Sequence, residues 1–185
     1  MDYKQIIGHE RIIESLKKSV EKGSISHSYL FEGDEGLGKK LTAEAFAKTL
    51  LCKEQKEEPC NVCSSCIKFD RGNHPDLNII EPEKGIIKKG DIEALIKSVA
   101  TAPFESIRKV FIINDCHKMN REAMNSLLKT LEEPPEYIVI ILITSMANNL
   151  LPTILSRVIN IKFYPIETGK VINYLIKSYG KTKDE

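Results

Sequence analysis

The apolar residues of this chain follow two patterns that alternate along it. Apolar positions at helical spacing predict helices, the first beginning near Glu10, whereas short unbroken apolar runs predict strands covered on both faces. The predicted strands span residues 28–32, 77–80, 109–115, 137–144 and 158–163. Because helical segments separate these strands, the pattern is that of a parallel sheet. The sequence therefore predicts an α/β domain in which a five-stranded parallel sheet carries helices on both faces.

Three polar residues mark predicted helix starts. Asp91, Asn120 and Thr168 each precede apolar residues at helical spacing, and short polar side chains of this kind accept hydrogen bonds from the first backbone N–H groups of a helix. We expect each of them to cap the helix that follows it.

A glycine-rich loop lies between the first predicted strand and the next helix. Its sequence is Gly33-Asp34-Glu35-Gly36-Leu37-Gly38-Lys39-Lys40. Glycines let a backbone turn tightly enough to aim several N–H groups at phosphate oxygens, and a lysine in the place of Lys39 reaches the terminal phosphates. This predicts a P-loop with four nucleotide-binding residues, Gly33, Gly36, Gly38 and Lys39.

One position of the predicted P-loop departs from the usual pattern. The residue after the lysine is normally Ser or Thr, whose hydroxyl binds the magnesium ion of a nucleoside triphosphate, and here it is Lys40. An ammonium group cannot ligate a cation. Thr42 lies roughly 200° further round the helix and is not expected to supply the missing hydroxyl. Binding of ATP with Mg²⁺ at the loop is therefore left open.

The polar ends of two predicted strands complete this candidate site. In P-loop ATPases the strand corresponding to 109–115 ends in an Asp that holds magnesium and often a Glu that activates water. Here these places hold Asn114, which has no charge, and Asp115, which is one methylene shorter than Glu. Thr144 ends the next strand at the same edge, where parallel sheets bind ligands. Changes at both magnesium positions predict a chain that does not hydrolyse ATP.

Four of the five cysteines are clustered in the sequence. Two overlapping pairs with two intervening residues, together with one more cysteine at the end of the preceding helix, fit a tetrahedral zinc site closed by four thiolates. This predicts a structural zinc module at about 52–72 with the ligands Cys52, Cys60, Cys63 and Cys66. Reduced cysteines without metal are the alternative. His74 could replace one ligand, although a histidine before a proline more often makes local hydrogen bonds.

Charge and hydropathy narrow the class of protein. The chain has 27 basic and 26 acidic residues among 185, which does not indicate a strongly basic nucleic-acid binder. The basic stretch Lys84–Lys89 could contact a phosphate backbone, but a solvated surface is the better explanation. The longest apolar run, Ile138–Ile143, suits a buried strand and not a membrane span. We expect a cytoplasmic protein without a membrane partner, in a compartment that keeps cysteines reduced.

Several motifs occur together in an order typical of one family. They are Gly8-His9, His27–Phe31, the loop 33–40, the four clustered cysteines, His74-Pro75-Asp76, Asn125–Pro135 and Leu155-Ser156-Arg157. Together they resemble the AAA+ subunits of the bacterial DNA polymerase III clamp loader, over residues 5–178. The resemblance implies an AAA+ P-loop NTPase domain at 1–164 and the start of a helical lid at 165–185, and it leads us to expect that the rest of the lid and a collar domain are absent from this chain.

The family contains two relevant subunit types. The gamma/tau type hydrolyses ATP, whereas the delta-prime type has altered nucleotide motifs and is more similar to this chain. The resemblance implies that Arg157 is an arginine finger acting in trans, since a guanidinium can stabilise charge on a phosphoryl group. It implies partners in the gamma/tau and delta subunits and, through the complex, in the sliding clamp and primed DNA. The alternatives are a gamma/tau-type motor and an unrelated P-loop kinase or zinc-bearing nucleic-acid binder.

Overall fold

The predicted sheet is present. The computed structural model describes residues 2–179, so the part of the predicted lid segment from residue 180 onward lies outside the described residues. Five strands pair in the order β2-β3-β4-β1-β5, and each neighbouring pair is parallel. Their bounds are Ser28–Glu32 (β1), Leu77–Ile80 (β2), Lys109–Ile113 (β3), Ile138–Thr144 (β4) and Ile159–Lys162 (β5). The α/β class and the five parallel strands are confirmed.

Helices connect the strands, and two of the three expected caps need correction. Asn120 is confirmed as a cap, because its side chain accepts a hydrogen bond from the Ala123 N–H at 2.8 Å. Asp91 instead lies in the first turn and accepts the Lys88 N–H at 2.7 Å, and Thr168 is itself the first helical residue. The helices are Glu10–Glu21 (α1), Lys39–Leu51 (α2), Ser64–Asp70 (α3), Lys89–Val99 (α4), Arg121–Glu132 (α5), Pro152–Leu155 (α6) and Thr168–Tyr179 (α7).

The sheet separates two apolar cores. All seven residues of β4 are buried, and alternate residues point to opposite faces. Ile138, Ile140 and Leu142 pack in the core formed with α4 and α5, and Val139 and its alternate neighbours pack in the core formed with α1 and α2. This arrangement explains the unbroken apolar run in β4. Within residues 2–179, no helix combines the length and apolarity needed to cross a membrane.

The glycine-rich loop begins where three segments converge. The Gly33 N–H donates to the Thr144 carbonyl at 3.2 Å, and the Phe163 N–H donates to the Glu32 carbonyl at 2.7 Å. A Cβ atom at Gly33 would lie 2.6 Å from the Phe163 carbonyl oxygen, and the backbone there has φ +152°. Glycine is therefore required by both space and backbone conformation, and the loop is fixed to the carboxyl ends of β1 and β4.

Candidate nucleotide site, metal centre and arginine

Six of the eight predicted nucleotide-binding residues meet at one cavity, whereas Gly33 and Thr144 lie off its wall. Helix α2 begins at Lys39, and Gly38 precedes it at φ +79° without a side-chain cap, so the first N–H groups of this helix are left for other partners. The cavity has a volume of about 440 Å³. Its walls include Gly36, Gly38, Lys39, Lys40, Asn114 and Asp115. The sequence thus identified residues from the loop and from the end of β3 that the fold brings together.

Lys39 holds the loop through its own backbone. Its Nζ donates to the Gly33 carbonyl at 2.6 Å and to the Asp34 carbonyl at 2.5 Å. The side chain is largely buried, and burial lowers the pKa of the Lys39 ammonium from its usual value. The ammonium therefore stabilises the turn of the P-loop in the protein itself, and a phosphate would have to compete with two carbonyl groups for it.

Lys40, at the usual magnesium-binding position, and nearby Thr42 both bind other groups of the protein. Lys40 Nζ lies 2.5 Å from a carboxylate oxygen of Glu81, just beyond β2, and this hydrogen bond raises the pKa of Lys40. The Thr42 hydroxyl is buried and donates to the Gly38 carbonyl at 2.9 Å. Neither side chain offers the free hydroxyl that the P-loop chemistry of magnesium requires.

The residue that follows β3 lies on the wall of this cavity, whereas the last residue of β4 does not. Asp115, on the cavity wall, forms an ion pair with Lys118 at 3.0 Å. Thr144 lies at the same edge of the sheet, but its hydroxyl is buried, 3.1 Å from His117 Nδ1, and accepts the Met146 N–H at 3.0 Å. Thr144 is thus not on the cavity wall. Sequence reasoning missed His117, whose contact with Thr144 joins residues far apart in the chain.

The four clustered cysteines come together as predicted. The sulfur atoms of Cys52, Cys60, Cys63 and Cys66 all lie within 4.8 Å of one another, and none of these cysteines forms a disulfide. Four thiolates about 2.3 Å from one ion would lie roughly 3.8 Å apart at tetrahedral angles, so the sulfurs need only small shifts to bind a metal. Cys116 is buried apart from the cluster, beside the end of β3.

Backbone N–H groups donate to three of the four sulfurs in this cluster and favour the thiolate at Cys63. The N–H groups of Cys60, Cys63 and Cys66 donate to the sulfurs of Cys52, Cys60 and Cys63, each at 3.4 Å. Burial raises the pKa of the Cys63 thiol, but the N–H groups of Cys66 and Lys53 and neighbouring thiols outweigh it and lower the pKa to about 6. At Cys52 and Cys66 burial prevails and raises the pKa of the thiol. Metal ions bind the thiolate form, so these residues could hold a metal such as zinc.

A buried lysine attaches the cysteine-bearing loop to α2. Lys48 Nζ donates to the two carboxylate oxygens of Asp70 at 2.8 and 2.7 Å and to the Asn61 side chain at 2.6 Å. Sequence reasoning missed this residue, although a lysine among the apolar residues of α2 indicates a buried charge that needs a partner. His74 is a local hydrogen-bonding residue, since its Nε2 lies 2.7 Å from the Ser65 hydroxyl. The structure does not place it among the cysteines.

A second buried charge fixes the turn beside the cysteine cluster. The Asp76 carboxylate accepts the N–H groups of Phe104, Glu105 and Ser106 at 2.5, 2.8 and 2.8 Å. The Glu105 side chain in turn binds the cysteine-bearing segment, because it accepts from the Ser64 hydroxyl at 2.8 Å and pairs with Lys68 and Lys53. The hydrogen bond from Lys68, followed by that from Ser64, lowers the pKa of Glu105 to about 2. The turn therefore connects the sheet to the cluster.

We expect Asp76→Asn to destabilise the chain by about 2–3 kcal/mol, because an amide presents N–H groups to a site that must accept three backbone N–H bonds. The free energy of unfolding in urea measures this loss. Asp91→Asn is the matched control, since Asp91 is exposed and accepts the Lys88 backbone N–H, and we expect less than about 1 kcal/mol there. Equal losses in the two variants would contradict the role of Asp76 as the anchor of this turn.

Arg157 and the P-loop lie at opposite ends of the strands. The Ser28 hydroxyl, at the start of β1, donates to the Arg157 carbonyl at 2.7 Å, whereas the P-loop follows the end of β1. A five-residue strand spans about 16 Å, so Arg157 is too far away to reach the cavity of its own chain. The Arg157 side chain is one-third exposed and borders an open cavity of about 650 Å³.

A comparison with protein families shows to which family the chain belongs. The model of the family described as "DNA polymerase III, delta subunit" matches residues 8–167. The chain belongs to this DNA polymerase III subunit family. The resemblance expected from the sequence motifs is confirmed, and the parallel sheet with its P-loop is the AAA+ fold.

Known relatives agree with this family assignment. The chain is 40% identical to the DNA polymerase III subunit delta-prime of Bacillus subtilis over 90% of this chain and 51% of that protein. It is 33% identical to subunit tau of Escherichia coli over 94% of this chain and 27% of that protein. A crystal structure of a gamma subunit-related protein from Thermotoga maritima aligns with a TM-score of 0.64 at 27% identity, covering 91% of this chain and 50% of that one.

Among these relatives of the polymerase III family, similarity favours the delta-prime type. The identity to the delta-prime protein exceeds the identity to tau by 7 percentage points, the difference between 40% and 33%. The chain spans about half the length of the delta-prime relative and about a quarter of the tau relative.

Proposed function

We propose that this chain acts as the delta-prime-type subunit of a DNA polymerase III clamp loader, the assembly that opens the sliding clamp and places it on primed DNA. In this role it hydrolyses little or no ATP of its own and completes the ATP site of a neighbouring subunit. Its partners are the gamma/tau and delta subunits, and its place of action is the cytoplasm. Contact with the clamp and with primed DNA is made through the complex.

The observation that carries this proposal is the ion pair of Lys40 with Glu81. It occupies the position at which a working P-loop presents a magnesium-binding hydroxyl, and charge on a transferring phosphoryl group is normally neutralised by that metal. Lys39 is likewise bound to two loop carbonyls. The P-loop is thus stabilised by internal contacts, which supports a structural role for the nucleotide-binding residues Gly33, Gly36, Gly38, Lys39, Lys40, Asn114, Asp115 and Thr144.

The position of Arg157 supports a function in trans. A guanidinium at the end of the sheet opposite the P-loop can contact a nucleotide only if that nucleotide is bound by another subunit. Arginine suits this task because its charge persists at every physiological pH and its planar group can donate two parallel hydrogen bonds to a phosphate. In this proposal Arg157 is the arginine finger of the neighbouring site.

The cysteine cluster is proposed to bind one structural Zn²⁺. Cys52, Cys60, Cys63 and Cys66 fill all four places of a tetrahedral site, so no position remains for a catalytic water. The module then contributes to stability and to the position of the turn at 104–106, and it takes no part in the chemistry of ATP.

The second candidate is an ATP-hydrolysing motor subunit of the gamma/tau type. It is favoured by the retained Lys39 and glycines and by the cavity that they form. This candidate requires magnesium-dependent turnover by the chain itself, which the proposed function does not.

Assembly with clamp-loader subunits tests the proposed function. The full-length protein containing this chain would be mixed with the gamma/tau and delta subunits of the same organism and separated by size-exclusion chromatography with light scattering. We expect one stable complex containing a single copy of this protein. Failure to enter a complex with either partner, while those partners assemble with each other, would exclude the proposed function.

A further inference from the structure

The Arg157 guanidinium is bound by three groups of its own chain. Nη1 donates to the Thr153 carbonyl at 2.8 Å and to the Ser156 hydroxyl at 3.1 Å. Nη2 lies 2.7 Å from a carboxylate oxygen of Glu132, the last residue of α5. Two of the contacts are thus neutral and come from the same short turn, and the third is ionic and comes from a different helix.

The neutral contacts and the ionic contact have different effects. The Thr153 carbonyl and the Ser156 hydroxyl orient the guanidinium without changing its charge. The Glu132 carboxylate compensates the positive charge that Arg157 would otherwise present to the cavity at this edge. Orientation does not depend on Glu132, because Nη1 has two other partners.

The place of Glu132 on its helix indicates that it does not serve helix stability. The carboxyl end of a helix carries partial negative charge, and a carboxylate there is unfavourable. Glu132 ends α5, and Glu133 follows it directly. The favourable interaction of Glu132 in the described structure is therefore its contact with Arg157.

We propose that Glu132 is an intramolecular counter-ion that restrains Arg157 until a phosphoryl group of the neighbouring subunit's nucleotide displaces it. This inference rests on the proposed function. A carboxylate and a phosphoryl group each present two oxygens that can accept the parallel N–H donors of a guanidinium, so they compete for the same donors. The pair is easily opened, because the side chains of Arg157 and Glu132 are 33% and 47% exposed and exposed ion pairs are weak.

The chemistry of the ligand follows from this competition. The group that displaces Glu132 must carry at least as much negative charge as a carboxylate and must enter the open cavity that Arg157 borders. A nucleoside triphosphate bound to magnesium on an adjacent subunit meets both conditions. Glu132 is then a positioning residue that sets how readily Arg157 engages that nucleotide.

The test measures single-turnover ATP hydrolysis by the clamp loader assembled from full-length subunits, at limiting ATP and without clamp or DNA. We expect Glu132→Gln in this protein to raise the rate by about two- to fivefold, the range that an exposed ion pair provides. Glu133→Gln is the matched control and should match the unmodified complex. A rate that stays the same or falls in Glu132→Gln would overturn the restraining role.

A variant with both residues replaced distinguishes an effect of Glu132 through Arg157 from a general change in the structure. Glu132 acts only through Arg157, so Glu132→Gln combined with Arg157→Ala should hydrolyse ATP at the same rate as Arg157→Ala alone. A gain that persists in the double variant would contradict the inference. If Arg157→Ala by itself leaves hydrolysis unchanged, the proposed trans function fails instead, and the two failures are therefore distinguishable. Equal unfolding temperatures of the full-length variants exclude a loss of fold.

Discussion

Replacement of Cys66 by Ser is expected to abolish metal binding and to lower the melting temperature of the chain by more than about 10 °C. A structural zinc site contributes several kcal/mol to folding, and about 1 kcal/mol corresponds to 2–4 °C in a domain of this size. Cys66 is buried in the cluster, so its replacement removes a ligand sulfur from the interior of the module. Zinc content by mass spectrometry of the native protein and thermal unfolding measure the two effects.

Cys116→Ala is the matched control for this prediction. Cys116 is also a buried cysteine, but it lies outside the group of four sulfurs, so this variant should keep one zinc ion per chain. Removal of zinc from the unmodified protein with a chelator should reproduce the lower melting temperature of Cys66→Ser. A purified chain that contains no zinc, or a Cys66→Ser variant as stable as the original, would contradict the structural zinc site.

Replacement of Arg157 by Ala is expected to reduce ATP hydrolysis at the neighbouring site by about a thousandfold, the lower range for loss of an arginine finger. The physical cause is the loss of positive charge beside the phosphoryl group in the transition state. Single-turnover hydrolysis by the assembled full-length complex measures this effect best, because hydrolysis at other sites adds a background to the steady-state rate. Binding of ATP should change much less than its hydrolysis.

Arg157→Lys distinguishes charge from geometry. Lysine keeps the charge but has no planar fork of donors, so we expect it to restore only a small part of the rate. Unchanged stability and unchanged assembly of both variants would confirm that the loss is chemical. Full activity of Arg157→Ala at every site of the complex would contradict the assignment of the arginine finger.

The sequence predicted the sheet well because β4 and its neighbours have unbroken apolar runs that only a two-sided core explains. The P-loop and the four cysteines were predictable for a similar reason: their spacing in the chain already determines which atoms meet. The start of α4 was misjudged, since Asp91 satisfies an N–H group from within the first turn as well as it would from the cap position.

The charged contacts of the candidate sites could not be predicted in the same way. Lys40 meets Glu81, and Arg157 meets Glu132, only because distant segments are packed side by side. Long side chains at exposed positions have many potential partners, and nothing in their spacing selects one. Asp76 is similar, because its three N–H donors lie about thirty residues further along the chain.

The central claim is that the P-loop of this chain does not hydrolyse ATP, and turnover by the chain alone tests it most directly. Labelled ATP would be incubated with the unmodified chain and with Lys39→Ala, each with and without Mg²⁺. We expect no turnover above background in any of the four samples. Magnesium-dependent turnover that Lys39→Ala abolishes would instead show a working ATP site and assign the chain to the gamma/tau-type motors.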